Sequence, residues 1–86
     1  MPEERFPSKI LNNKTIISKG GRKFGEVEDL IFEVKSGEIL YIVVKNPTEF
    51  LEHLDIDKDE EGNLLIPFSS VIAIGDFLVV NEEEIV

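Results

Sequence analysis

The sequence predicts a mainly β protein: a small, partly open antiparallel β-barrel of about six short strands with one short helix. Three observations lead there. Short apolar runs recur along the 86-residue chain, separated by glycine-bearing turns. Two of these runs are joined by nothing longer than Ser36 and Gly37, the length of a tight hairpin. Helical spacing of apolar residues is found over residues 46–56 alone.

After a polar leader, KTIIS (14–18) reads as the first strand, and KGGRKFG (19–25), with its three glycines, as a turn. EVEDLIFEVK (26–35) alternates, with Leu30, Phe32 and Val34 on one side and Glu33 and Lys35 on the other. Phe24 shares that even phase but Val27 does not, so the apolar register slips near Glu28 and Asp29. A bulge or sharp bend there restores it and curls the strand, as closure of a small barrel demands. Ser36 and Gly37 then turn the chain back, which makes the second and third strands antiparallel neighbours. The third strand holds six consecutive apolar residues, Ile39 to Val44, so both of its faces need to leave water. Alternation puts one set, Ile39, Tyr41 and Val43, inside the barrel and directs Leu40, Ile42 and Val44 outward.

In NPTEFLEHLDI (46–56), Asn46 can cap a helix, Pro47 suits its first position, and Glu49 falls where a capping-box carboxylate sits. Phe50, Leu51 and Leu54 share one face of that helix. A charged turn, DKDEEGN (57–63), leads to the runs LLIPF, SSVIAIGD and FLVV. Pro67 has no amide proton to give, which sends its strand to an edge or bends it. Division of the chain follows: a flexible leader over 1–7, one domain over 8–81, and an acidic, fraying tail over 82–86.

The formal charge of −9 is unevenly spread. Residues 1–23 carry six basic side chains against Glu3 and Glu4, a balance of +4, whereas residues 24–86 carry three basic against sixteen acidic, a balance of −13. An acidic body repels nucleic-acid phosphates, so direct DNA or RNA binding is not expected. The basic segment, with its turn at Arg22 and Lys23, is suited to an acidic partner or to an acidic face of a second copy, and equally to ordinary solvated charges on a loop and a strand edge. With no cysteine there is neither a disulfide nor a thiolate site, which fits a reducing cytoplasm. No apolar run reaches the roughly 18–20 residues that span a bilayer, and a cytoplasmic protein without a transmembrane segment is expected.

These residues resemble a known family. GGRKFGEVEDLIFEVKSGEILYIVVKN is similar to the opening hairpins of PRC-barrel domains, with a Gly-x-x-x-Gly turn at Gly21 and Gly25, an acidic pair at Glu28 and Asp29, a Ser-Gly turn and an apolar third strand. LLIPFSSVIAIGDFLVV resembles their closing segment, an Ile-Pro step before a Val-x-x-Ile-Gly-Asp turn and a last apolar strand. The likeness covers about residues 8 to 81. It implies a non-enzymatic protein-binding module, as in the cytoplasmic domain of the photosynthetic reaction-centre H subunit and the C-terminal domain of ribosome-maturation factors. The lack of an RNA-related N-terminal domain and of an H-subunit membrane segment in this sequence points to the stand-alone archaeal type, which is the form expected. Some of those resemble cell-division factors that bind the membrane-anchoring protein of the division ring.

Signatures of other chemistry are partial. Asp57, Asp59, Glu61, Gly62 and Leu64 match positions 1, 3, 5, 6 and 8 of a calcium-binding EF-hand loop, but Phe68 stands where the bidentate glutamate belongs. A solvated turn is the better reading. Gly20 and Gly25 have the spacing of a phosphate-binding loop, but Glu26 and Val27 replace the required Lys-Ser/Thr, so turn glycines explain the pattern. His53, with Glu49 and Glu52 nearby, is too few ligands for a metal site, and Ser69 and Ser70 lack a nucleophile context. Tyr41 is a packed ring by default. No catalytic, cofactor or metal residue is therefore assigned.

Leu40, Ile42 and Val44 left wet would each forfeit roughly 1.5–3 kcal/mol, more than one short helix can hide. A protein-protein surface follows, most economically a two-fold homodimer formed by the third strand and its neighbours; Leu40, Ile42 and Val44, and the basic turn at Arg22 and Lys23, are the candidate contacts for self-association and for another protein, in either assignment. The expected function is a non-enzymatic adaptor, with archaeal cell-division assembly the most specific role the resemblance implies. Ribosome or RNA-processing assembly is the alternative, and a small-ligand or metal-binding protein, or an enzyme working through surface carboxylates, is the alternative of a different class.

Overall fold

A computed structural model describes residues 3–6 and 13–85. Its strands are β1 (Glu3–Phe6), β2 (Thr15–Ser18), β3 (Lys23–Glu33), β4 (Ile39–Lys45), β5 (Leu65–Pro67), β6 (Val71–Ile74) and β7 (Leu78–Val80), with one helical turn, α1 (Glu49–Glu52). They form one open, curled sheet in the order β5-β4-β3-β2-β7-β6, with β1 added alongside β3. The pairings among the described residues are antiparallel except β2 with β7, which is parallel. That parallel pair brings the last strand back beside the first part of the chain and gives the sheet its barrel-like curl.

β3 is the spine. One edge pairs with β4, while the other pairs with β2 through its first half and with β1 through its second. The expected slip occurs: the ladder steps from Val27 opposite Val44 to Asp29 opposite Val43, so Glu28 is the extra residue. Val27 and Leu30, three apart, both reach the core as a result. A second irregularity matters more. Ile31 and Phe32 oppose Tyr41 and Ile39, so Leu40 is extra on β4 and the phase of the strand changes there.

The expected orientation of β4 is corrected by that second bulge. Ile42 and Val44, expected outside, are buried in the main core with Ile16, Phe24, Val27, Leu30, Leu51, Leu64, Ile66, Leu78 and Val80, and Ile39 packs against the same cluster. Val43 and Tyr41, expected inside, lie on the other face in a small second cluster with Ile31 and Leu65. From Ile42 to Val44 both faces of β4 are thus covered within the chain, while Ile39, Leu40 and Tyr41 are half-buried. Cross-strand neighbours and the charged loop at residues 58–61 border the second cluster, while α1 plugs the main core through Leu51, with Phe50 and Leu54 half-buried beside it.

Other elements depart locally. Val34 sits in the β3–β4 turn, exposed, because Glu33 pairs with Glu38 and Gly37 closes the loop at φ +73°. Asn46 leaves β4 in the left-handed conformation (φ 51°) that asparagine tolerates, so it cannot cap; Thr48 holds that position. The Thr48 hydroxyl donates to the Lys23 carbonyl at 2.7 Å and its amide to that of Phe24 at 2.9 Å, docking α1 on β3. Residues 3–6, expected within a flexible leader, form β1, and residues 82–84, expected to fray, form a 3-10 turn whose following Ile85 packs on the core. The remainder of the expected leader and its junction with the domain, at residues 1, 2 and 7–12, lies outside the described residues, as does Val86 of the expected tail. Pro67 falls on β5, an edge strand, as its missing donor requires.

Candidate interaction surface

The residues singled out from the sequence do not form one site. Leu40 is half-buried and lines an open groove of about 630 Å³ with Ile39, Tyr41, Pro67 and Phe68. Arg22, at the end of the turn before β3, and Lys23, the first residue of that strand, are both exposed. The β3–β4 register puts Glu26 opposite Lys45 at one end and Phe32 opposite Ile39 at the other, so the basic turn and Leu40 occupy opposite ends of that ladder. Arg22 has an internal partner: its guanidinium carbon lies 4.5 Å from the centre of the Phe50 ring, which stacks on Phe24 at 5.7 Å.

The acidic turn has a structural organisation. The Asp59 carboxylate accepts hydrogen bonds from the Glu61 and Asn63 amides at 2.9 and 2.8 Å and from the Asn63 side chain at 3.1 Å. Asp59 therefore folds the loop around itself, the role that short acidic residues take in turns. Among the described residues no group of three His, Cys, Asp or Glu side chains is placed to hold a metal ion. Asp59→Ala is expected to lower stability by about 1–2 kcal/mol, the order of these lost bonds, in urea unfolding. Added calcium is expected to leave the wild-type melting temperature unchanged. Of the remaining candidates, His53 is exposed beyond α1, and Ser70 is buried with its hydroxyl donating to the Pro67 carbonyl at 2.7 Å, which fixes the turn after β5. Gly25 lies inside β3, not in a phosphate loop.

Among the described residues, exposed large apolar side chains gather elsewhere, on the β6–β7 hairpin. Ile72, Ile74 and Phe77 are 54%, 48% and 49% exposed within six residues of chain. β6 is the edge of the sheet, paired among the described residues only with β7, and Ile72 is the extra residue of a bulge between Val71 and Ala73. The hairpin tip is tied to β2's approach by a hydrogen bond from Lys14 Nζ to the Gly75 carbonyl. Sequence reasoning missed these residues because VIAI reads as an ordinary buried strand. The available signal was charge: no Asp, Glu, Lys or Arg occurs from Gly62 to Gly75, in a chain that is 31% charged. β6, with only β7 beside it among the described residues, has no second neighbour to cover its apolar side chains.

A family model described as the PRC-barrel domain matches residues 3–85. The chain is also 37% identical over 79 residues to the uncharacterized protein MJ1118 of Methanocaldococcus jannaschii, the alignment spanning 92% of this chain and 84% of that one. No helix among the described residues is long and apolar enough to cross a membrane.

Proposed function

The chain belongs to the PRC-barrel domain family, and on that premise we propose that it is a protein-interaction adaptor, acting without catalysis in the cytoplasm, whose principal contact surface is the β6–β7 hairpin. PRC-barrel domains are generally non-catalytic and often mediate protein interactions. The supporting observation is the trio Ile72, Ile74 and Phe77, half-exposed on a single edge hairpin. Each such side chain gains on the order of 1 kcal/mol by completing its burial, so a partner seated there recovers several kcal/mol. The acidic balance of the molecule favours protein over nucleic-acid partners. Cell-division assembly, through the protein that anchors the division ring, is the role that the family resemblance supports.

Affinity capture from the native cells, with the wild type and Ile74→Lys as parallel baits, tests this. The wild type is expected to retain a defined set of proteins, division proteins among them, that the variant loses. Ribosomal proteins in that set would transfer the role to ribosome assembly. Identical sets from both baits would remove the hairpin as the contact surface, and stabilisation by one compound in a metal and metabolite melting screen would favour a small-ligand protein instead.

A further inference from the structure

The structure leaves β6 with one side unpaired among the described residues, and we infer that this edge takes the same edge of a second copy, joining two sheets antiparallel about a two-fold axis through β6. This rests on the reading of the hairpin as a contact surface and names its first occupant. An edge strand exposes a row of amide donors and carbonyl acceptors, and an antiparallel copy of the same strand is always complementary to that row. Natural edges are commonly blocked by lysine, proline or an inward charge. β6 carries none of these; its residues are Val71, Ile72, Ala73 and Ile74, with a bulge at Ile72 as the one irregularity.

Charge selects a second copy as the occupant. The molecule carries −9, so two copies repel each other over most of their surfaces. The stretch from Gly62 to Gly75 has no charge at all, and a two-fold axis through β6 sets uncharged strand against uncharged strand. Asp76, at the hairpin tip, is the one charged residue between Gly62 and Val80. Ile72, Ile74 and Phe77 of the two copies then shelter one another along the joined edge. A four-residue strand and three apolar side chains per copy supply less than the roughly 800 Å² per partner of a standard interface, which sets a weak dimer with a dissociation constant of about 10–100 μM.

Sedimentation across that concentration range is expected to show a monomer–dimer equilibrium for the wild type. Ile74→Lys is expected to weaken it at least tenfold, although it lowers the net negative charge and would favour association if charge alone governed it. Val34→Lys makes the same charge change at an exposed apolar residue of the β3–β4 turn and is expected to leave the dimer intact or slightly tighter. Because the chain has no cysteine, single cysteines at Ile72, Ala73 and Ile74 report the register. The residue nearest the axis faces its own copy at roughly 4.5–5.5 Å between Cα atoms, within disulfide reach, so one of the three is expected to crosslink on oxidation and Val34→Cys is not. A monomer throughout, equal effects of the two lysines, or no crosslink at any of the three positions would overturn the pairing. A monomer that still captures other proteins through the hairpin would overturn self-pairing and leave the adaptor reading standing, whereas loss of both would end both. Thermal melts of Ile74→Lys and Val34→Lys separate unfolding from dissociation, since both positions are exposed and both variants are expected to stay folded.

Discussion

Gly25→Ala is expected to lose about 3 kcal/mol of stability, enough to lower the melting temperature by about 12–24 °C in a domain of this size. Gly25 lies within β3 at φ +153°, and a Cβ built there would meet Val44 Cγ1 at 2.6 Å and the Lys45 carbonyl at 3.0 Å. Neither neighbour can retreat freely: Val44 is 2% exposed in the main core, and Lys45 is the last residue of β4. Overpacking of this kind costs roughly 1–3 kcal/mol, and holding a side chain in the left-handed half of backbone space adds a similar amount. The whole molecule has only about 4–13 kcal/mol to lose. Gly21→Ala separates the two contributions. Gly21 also has a positive φ, +92°, but nothing lies within 4 Å of its Cβ position, so only the backbone part, about 1 kcal/mol, is expected. Equal melting temperatures for the two variants would show that the approach of β3 to β4 at Gly25 is not what the glycine serves.

The β3–β4 hairpin and the bulge at Glu28 were legible because their causes are local. Ser36 and Gly37 mark a turn, and the mismatch between Val27 and Leu30 marks a slip in period, wherever the strand ends up. The second bulge left no such mark. In Ile39 to Val44 every residue is apolar, so pattern cannot distinguish the two faces, and the extra residue at Leu40 is fixed only by its partners Ile31 and Phe32. The consequence was an inverted phase for Ile42 and Val44. β1 was illegible for a similar reason: residues 3–6 lack an apolar run and gain strand structure from the free second half of β3's edge. The parallel pairing of β2 and β7 joins segments some sixty residues apart, which no local pattern encodes. As for the contact surface, charge points to Arg22 and strand alternation to Leu40, whereas the exposure of Ile72 and Ile74 follows from β6 being last in the strand order, and that of Phe77 from its place in the hairpin turn. Edge position is a property of topology, so composition could hint at it only through the missing charges.

Ile42→Glu is expected to abolish cooperative folding, whereas Leu40→Glu, two residues away, is expected to cost under about 1 kcal/mol. Ile42 is 0% exposed, opposite Leu30 on one side and Ile66 on the other, with apolar side chains throughout the surrounding cluster. Truncating such a residue alone costs about 2–5 kcal/mol, and an unpaired carboxylate adds several more, which together match or exceed the stability available. The buried acid escapes part of that cost by holding its proton, so its pKa rises above the unfolded value of about 4.3. Above that pH the unfolded chain ionises first and is favoured, and the deficit widens as pH rises; any residual structure in Ile42→Glu is therefore expected in acid and lost toward neutrality. Leu40 is the extra residue of its bulge, half-buried at an open groove where a carboxylate reaches water. Glu60→Ala, in the exposed loop, is expected to change nothing measurable. Circular dichroism of the three variants against pH reads the orientation of β4 directly. Equal damage from the substitutions at 40 and 42 would mean that the bulge at Leu40 does not set the phase, and with it would fall the assignment of Ile42 and Val44 to the core.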